Sequence, residues 1–282
     1  MNKSESVKKS DKKKKRNESL LVKYGVVAFF EILVFISVFL GYTTHSIKAP
    51  IKSIYDESIE NFMDSAIDNV QSWFDNQVNV MNVFQRAVVD TVDTPEHIKS
   101  RIKSIKKPDG YEYVMVFWDS NTDANDGGPE TFNTKGGSSK AGILQKEYYV
   151  NHKKSNVSIW LESPRVAAAG GFTMPLFVKS EFTDEKTGQK VGGGCVGFLE
   201  LEPINKLGKS FFKTGKISIY DDTNSVRAGE DLLAAGDDAG IVMYSKKFNL
   251  VNKEWTVVAS VHKNEIQEIT KALQKQSFVG VS

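Results

Sequence analysis

The pattern that most restricts this chain lies at residues 47–92. Apolar residues recur there at i, i+3, i+4 and i+7: Ile59, Phe62, Met63, Ala66, Ile67, Val70, Trp73, Phe74, Met81, Phe84 and Val88. That period puts them largely on one face of an α-helix. Pro50 is compatible with it only near its start. Roughly forty residues at 1.5 Å per residue make a rod about 60 Å long. Such a rod is too long to cover one small domain. It suits a spine that packs along two stacked domains. The competing reading, a coiled-coil stalk, meets heptads that are irregular.

Ahead of the spine, residues 20–44 hold an apolar run. From Tyr24 to Tyr42 the only charged residue is Glu31. That length matches a hydrocarbon core of roughly 30 Å. A cleaved signal peptide has a shorter apolar core and a small-residue cleavage site, and Thr43, Thr44 and His45 offer no clear one. An uncleaved transmembrane helix is the expectation, with Tyr24 and Tyr42 at the two interfaces. Glu31 near mid-span is either functional, or protonated or buried against a partner helix in a dimer.

Charge gives the orientation. The net charge of +2 hides a basic tail, with nine Lys or Arg against three acids in the first 23 residues. Residues 1–19 lack an apolar period and are expected to be disordered. A polybasic flank marks the cytoplasmic side of an anchor, which places the rest of the chain outside. No aromatic interleaving or nucleic-acid module accompanies the tail, so nucleic acid is not an expected partner. The single cysteine, Cys195, rules out an internal disulfide. It sits on an apolar strand and reads as a small buried residue. The histidines His45, His97, His152 and His262 show no metal-ligand spacing.

Beyond the spine, Asp93-Thr94-Pro95-Glu96 opens a short helix. Tyr111–Asp119 is a strand apolar on both faces at its centre. The loop after it, from Asp119 to Gly127, invites a calcium reading but lacks the EF-hand order of ligands. Three β-runs follow, at Val157–Leu161, Phe172–Val178 and Val196–Leu201. The last two are joined by a hairpin through Asp184, Glu185, Lys186, Thr187 and Gly188. Glu202–Leu207 reads as the opening of a helix. Lys216–Asp221, Gly240–Phe248 and Glu254–Val261 are further strands, and Lys263–Lys275 is a closing helix.

This order resembles the double Cache extracytoplasmic sensor domains of bacterial methyl-accepting chemotaxis receptors. The basic–x–aromatic–aromatic motif of that family falls on Lys146-Glu147-Tyr148-Tyr149, and its Gly-x-x-Gly strand on Gly194-Cys195-Val196-Gly197. Trp255–Val258 and Lys263–Ile266 look like its proximal ending. The resemblance implies an α+β fold: a long N-terminal helix packed along two stacked PAS-like Cache modules with antiparallel sheets, preceded by one transmembrane helix. The distal module then spans 93–207 and the proximal module 208–275. The apolar residues of 276–282 are expected to start a second transmembrane helix. The resemblance further implies a homodimer in the bacterial inner membrane that senses a small molecule and signals across the bilayer. Input regions of sensor histidine kinases or diguanylate cyclases, and a membrane-anchored binding protein without output, are the alternatives.

Nothing in the chain reads as catalytic. There is no G-x-S-x-G nucleophile motif, and Gly192-Gly193-Gly194 precedes a strand where a phosphate loop precedes a helix. No enzyme activity and no cofactor are expected. Aromatic walls with a few polar groups suit a small-ligand site instead. The candidates are Lys146, Tyr148, Tyr149, Trp160, Arg165, Phe172 and Trp118. By resemblance, Lys146 stands where amino-acid-binding members carry a carboxylate-holding Arg, and Tyr148 and Tyr149 match the aromatic pair that packs on the ligand. Arg165 stands where those members carry a pocket Tyr. Two elements of the amino-acid signature are missing, since Ala141 replaces a Tyr and Leu199 replaces the Asp that holds an α-amino group. The nearby cations Lys146 and Arg165 favour an anionic ligand such as a carboxylate. The plainer alternatives are that Lys146 snorkels at a sheet rim, that one of the two tyrosines is core and one exposed, and that Trp160 and Phe172 are core.

Overall fold

The computed structural model describes residues 3–119, 131–135, 138–139, 144–154, 157–166, 172–205, 210–211, 213–234, 240–268 and 271. Two compact units divide the chain. One comprises Met1–Glu57 with Ile266–Ser282, the other Ser58–Glu265. Both sheets of the molecule belong to the second unit.

Helix α1 runs from Lys3 to Val88. It therefore includes most of the 1–19 stretch expected to be disordered. No Gly or Pro interrupts residues 3–24, and their many Lys residues are good helix formers, so the helix propagates through them. In the expected anchor at 20–44, the side chains described are those of residues 27–39 and 41–42, and all are exposed. Among the described residues, no helix is long and apolar enough to cross a membrane. The expected second span at 276–282 lies outside the described residues.

From Ile59 onward the apolar stripe of α1 is buried as its period requires. Ile59, Met63, Ala66, Ile67, Val70, Phe74, Met81, Phe84 and Val88 are all at or below 7% exposure. Phe62 is the exception at 44%. It precedes the Met63 position and falls off the stripe, because one residue turns the helix by about 100°. Trp73 is half-buried. The helix ends beside a capping network. Arg101 of α2 (Pro95–Ser104) donates to the Val88 carbonyl at 3.0 Å and to Asp93 at 2.6 Å. Thr94 caps α2 as its sequence predicts, accepting from the His97 N–H.

The first sheet has the order β1-β7-β8-β2-β3-β4, with β5 and β6 also pairing on β7. Its strands are β1 (Val92–Asp93), β2 (Tyr111–Trp118), β3 (Thr131–Asn133), β4 (Ser138–Ser139), β5 (Ile159–Leu161), β6 (Arg165–Val166), β7 (Phe172–Asp184) and β8 (Lys190–Glu200). The sheet is not wholly antiparallel as expected: β1 runs parallel to β7, because the chain leaving α1 returns alongside the far end of that strand. The β7–β8 hairpin closes where its polar residues foretell. Asp184 Oδ1 accepts from the Lys186 and Thr187 N–H groups, and Gly188 takes a φ of 66° that favours glycine.

One face of this sheet packs on α1. Gly197 makes the approach possible, since a Cβ there would collide with Met81 and with the Tyr111 ring. The Tyr111 hydroxyl donates to the Gln77 carbonyl at 2.6 Å, pinning strand to helix. Burial pushes the Tyr111 hydroxyl far above the usual phenol range, and the Cys195 thiol on the same face up to about 12. Cys195 is the inert core residue its surroundings imply.

The second sheet has the order β11-β10-β13-β12, with β9 on β10. Its strands are β9 (Ser210–Phe211), β10 (Gly215–Tyr220), β11 (Val226–Ala228), β12 (Ile241–Leu250) and β13 (Lys253–His262), paired antiparallel throughout. Asp221 caps the turn after β10 through the Thr223 and Ser225 N–H groups, and it forms a buried ion pair with Arg227. Lys246 of β12 pairs with Asp64 of α1. The segment of α1 near Asp64 thus serves the second sheet, and the segment near Met81 the first.

Candidate ligand-binding site

The site forms on the face of the first sheet turned away from α1. Side chains alternate along a strand, so β2 presents Tyr113, Met115 and Phe117 here and turns Val114, Val116 and Trp118 to α1. Phe177 of β7 and Val196 and Phe198 of β8 complete the floor. Gly194 makes room for Phe177, whose ring occupies the space a Cβ would take. The glycine run is therefore a strand adapted to an aromatic floor.

Over this floor lies α3 (Glu147–Lys154), a helix the sequence reading did not foresee. Its cap is Lys146, whose carbonyl accepts from Tyr149 and Val150 at 3.0 and 2.9 Å. Tyr148 and Tyr149 are both buried, so the one-in, one-out alternative of a strand does not apply. The Tyr148 ring stacks on Phe177 at 6.4 Å between centroids, and Tyr149 meets Phe117 at 5.5 Å. His152, one turn on, packs its ring against Phe177 at 5.4 Å and Phe117 at 6.1 Å.

Charged groups rim the cluster. The Tyr148 N–H donates to the buried Glu162 carboxylate at 3.4 Å, and Glu162 also pairs with Arg165 at 3.4 Å. Arg165 lies over the Phe198 ring at 5.2 Å. Tyr113 stacks on Phe198 at 4.2 Å, with Lys135 over it. On the other side, Asp119 accepts from Lys153 at 2.9 Å and faces His152 Nε2 at 3.3 Å, and the Tyr149 hydroxyl reaches it at 3.5 Å. Burial pushes the Asp119 carboxyl up, but His152 and Lys153 outweigh burial and hold it below the usual carboxylate range. Burial, with Asp119 adding to it, pushes the Tyr149 hydroxyl up to about 12. Burial and then Glu162 push Tyr148 higher still.

Of the seven residues predicted from sequence, Tyr148, Tyr149, Trp160 and Arg165 converge here. Trp160, opposite Phe177 in the sheet, is half-buried against the cluster, and its indole N–H is enclosed without a hydrogen-bond partner. Lys146 caps α3 with an exposed side chain. Trp118 lies on the opposite face, stacked on Phe132 at 5.3 Å, because it neighbours Phe117 and alternation sends it the other way. Phe172 is 48% exposed and sits under the Arg227 guanidinium at 4.2 Å, away from the aromatic cluster. His152, Asp119 and Glu162 are the site residues that sequence reasoning missed. His152 and Tyr148 are four residues apart, a signal that becomes visible only once α3 is known to be a helix.

The wall of the site also touches the second sheet. Asn252, in the β12–β13 turn, donates to the Leu161 carbonyl at 2.9 Å and accepts from the Leu161 N–H at 2.8 Å. Ser163 donates to Asp222 at 2.6 Å, and Lys253 bridges Ser163 and Asp222 at 3.0 and 3.2 Å. Among the described residues, no group of His, Cys, Asp and Glu could hold a metal ion.

The chain is similar to the ligand-binding domain of the Pseudomonas fluorescens chemoreceptor CtaA, solved in complex with L-serine. The identity is 13% and the TM-score 0.53, over 76% of this chain and 99% of that one. The ligand-binding domain of Mlp24, solved with asparagine, is 12% identical, with a TM-score of 0.48 over 80% of this chain and 99% of that one. The periplasmic sensory domain of the Campylobacter jejuni chemoreceptor Tlp1 is 11% identical, with a TM-score of 0.48 over 72% and 93%. No protein-family model and no curated protein matches the chain in sequence. At such identities the likeness is one of fold. The shared architecture is a mixed α+β arrangement in which a long helix packs against an eight-stranded sheet.

Proposed function

We propose that this protein is the extracytoplasmic small-ligand-sensing region of a transmembrane methyl-accepting chemotaxis receptor, with residues 20–44 as its anchor in the inner membrane and the basic tail in the cytoplasm. The two sheets are the stacked Cache modules, and a second copy pairs along α1. One observation carries the reading: the strand and turn that wall the aromatic site are themselves hydrogen-bonded to the second sheet through Asn252, Asp222 and Lys253. A ligand that displaces Trp160 or Arg165 therefore pulls on the second sheet directly. Such a ligand biases a two-state arrangement by its difference in affinity for the two states.

The ligand is a small molecule with a carboxylate. Lys146 is free to meet it, and Arg165 meets it by exchanging Glu162 for the ligand. The test is a thermal-shift screen of the full chain in detergent against amino acids, organic acids and purines. A carboxylate ligand that stabilises the wild type and fails to stabilise Lys146→Ala and Arg165→Ala is the expected result. Equal stabilisation of all three proteins sinks the reading.

A further inference from the structure

A second cleft, of about 270 Å³, opens on the first sheet between the end of α1 and the edge of β7. Along β7 the odd-numbered residues direct their backbone groups to the outer edge. Lys179 N–H donates to the Ser158 carbonyl at 2.8 Å, just before β5, and Thr183 N–H donates to the Thr91 carbonyl at 2.8 Å, beside β1. By the two-residue period Glu181 N–H points the same way, between the contacts made at Ser158 and at Thr91. Among the described residues no acceptor meets it. Gln85 of α1 closes one side by donating to the Lys179 carbonyl at 3.0 Å.

The cleft is chemically one-sided. Ser180 in its wall is 5% exposed, and its hydroxyl has no hydrogen-bond partner. Arg86 lines it and takes part in no ion pair among the described residues. Of the two acids that line it, Asp90 is held by Arg101 at 2.9 Å. The Glu181 side chain, between Ser180 and Phe182 in a regular strand, turns to the opposite face of the sheet, as does Lys190, the cross-strand partner of Thr183. What remains facing the cleft is a backbone N–H, a buried hydroxyl and the Arg86 guanidinium, a set of donors without a free acceptor of matching charge among the described residues.

We propose that this cleft is a binding site for a small oxyanion, a phosphate or a carboxylate, separate from the aromatic site. The anion accepts from the Glu181 N–H and the Ser180 hydroxyl, and the Arg86 guanidinium closes over it as a planar fork. Its occupancy ties the end of α1 to the edge of β7.

Isothermal titration of the full chain in detergent, at fixed ionic strength, with inorganic phosphate, sulfate and acetate tests this. A saturable site is expected for at least one of the three, and the preferred anion decides between phosphate-type and carboxylate recognition. Arg86→Gln, an exposed position that leaves the core untouched, weakens binding about tenfold or more, as loss of a charge-assisted hydrogen bond does. Ser180→Ala weakens it less, without lowering the melting temperature of the free protein. Lys146→Ala leaves it unchanged. In an amide NMR spectrum the Glu181 N–H moves on anion addition. Absence of saturable binding by all three anions overturns the proposal, as does wild-type affinity in Arg86→Gln.

Discussion

The two faces of the first sheet are covered in different ways. The inner face meets one continuous helix, and the contact is steric and apolar: Met81 fits over Gly197, and Tyr111 is pinned to Gln77. The outer face is covered by the eight-residue α3, beside which the three-residue β5 and the two-residue β6 extend the sheet from the edge of β7. Its contacts are rings under cations and carboxylates that hold short segments in place. A continuous helix with an apolar seam moves only as a whole. Short pieces held by polar contacts move one at a time, at the cost of one or two hydrogen bonds. Stability therefore sits on the inner face and adaptability on the outer one, the division that the proposed sensing role requires.

The largest effect belongs to the inner face. Met81→Ala leaves a cavity against Gly197 and Tyr111 and is expected to cost about 2–5 kcal/mol, read from the urea midpoint of the full chain. Ligand-induced stabilisation of the remaining folded protein stays at its wild-type value. A cost below about 1 kcal/mol would break the comparison, because it would deny the helix seam its structural role. Next comes the tie between the outer cover and the second sheet. Asn252→Ala strips the Leu161 N–H and carbonyl of their partner, for about 1–3 kcal/mol. It is expected to abolish any ligand-dependent change in hydrogen exchange of β12 and β13 while ligand still binds. An unchanged exchange response in those strands would place the coupling elsewhere. Smaller again is Trp160→Phe, which removes an enclosed N–H that has no partner. Stability changes by under about 1 kcal/mol, yet a ligand that uses this N–H loses affinity. A calorimetric titration with the strongest hit of the thermal screen measures the loss.

Much of the inner face was legible in the sequence and much of the outer face was not. The α1 stripe is written in a period of 3.6, and Phe62 alone misled because it borders the stripe. The β7–β8 turn is written in Asp184 and Gly188. The Tyr148-Tyr149 pair stood out in the sequence, but its helix did not, because EYYVNHKK has too few apolar residues to declare a period. With α3 unseen, His152 stayed an isolated histidine and Asp119 a loop acid, although the two meet at 3.3 Å across 33 residues of chain. Trp118 was included among the pocket residues by composition and excluded by alternation, which tells its face only when a neighbour's face is known. The contacts of Leu161 with Asn252 leave no local trace, since 91 residues separate them.

The smallest effect expected is also the most specific to the outer face. Asp119 joins three side chains of α3 to the end of β2. Its carboxyl is held below the ordinary value of about 3.9 that it regains on unfolding. The unfolded chain therefore binds the proton first as pH falls. The stabilisation is complete above the unfolded value and is lost as pH drops through the folded one. Lys153 is nearly half-exposed, so solvent screening keeps the contribution modest. In melting curves taken from pH 6 down to about pH 3, wild type is expected to lose stability more steeply than Asp119→Asn below about pH 4. The two curves then converge, and the steeper loss is accompanied by exposure of Tyr148 and Tyr149 fluorescence before the α1 seam opens. Parallel curves throughout would mean that α3 is held by its aromatic contacts alone, and that the outer cover is as apolar in its energetics as the inner one.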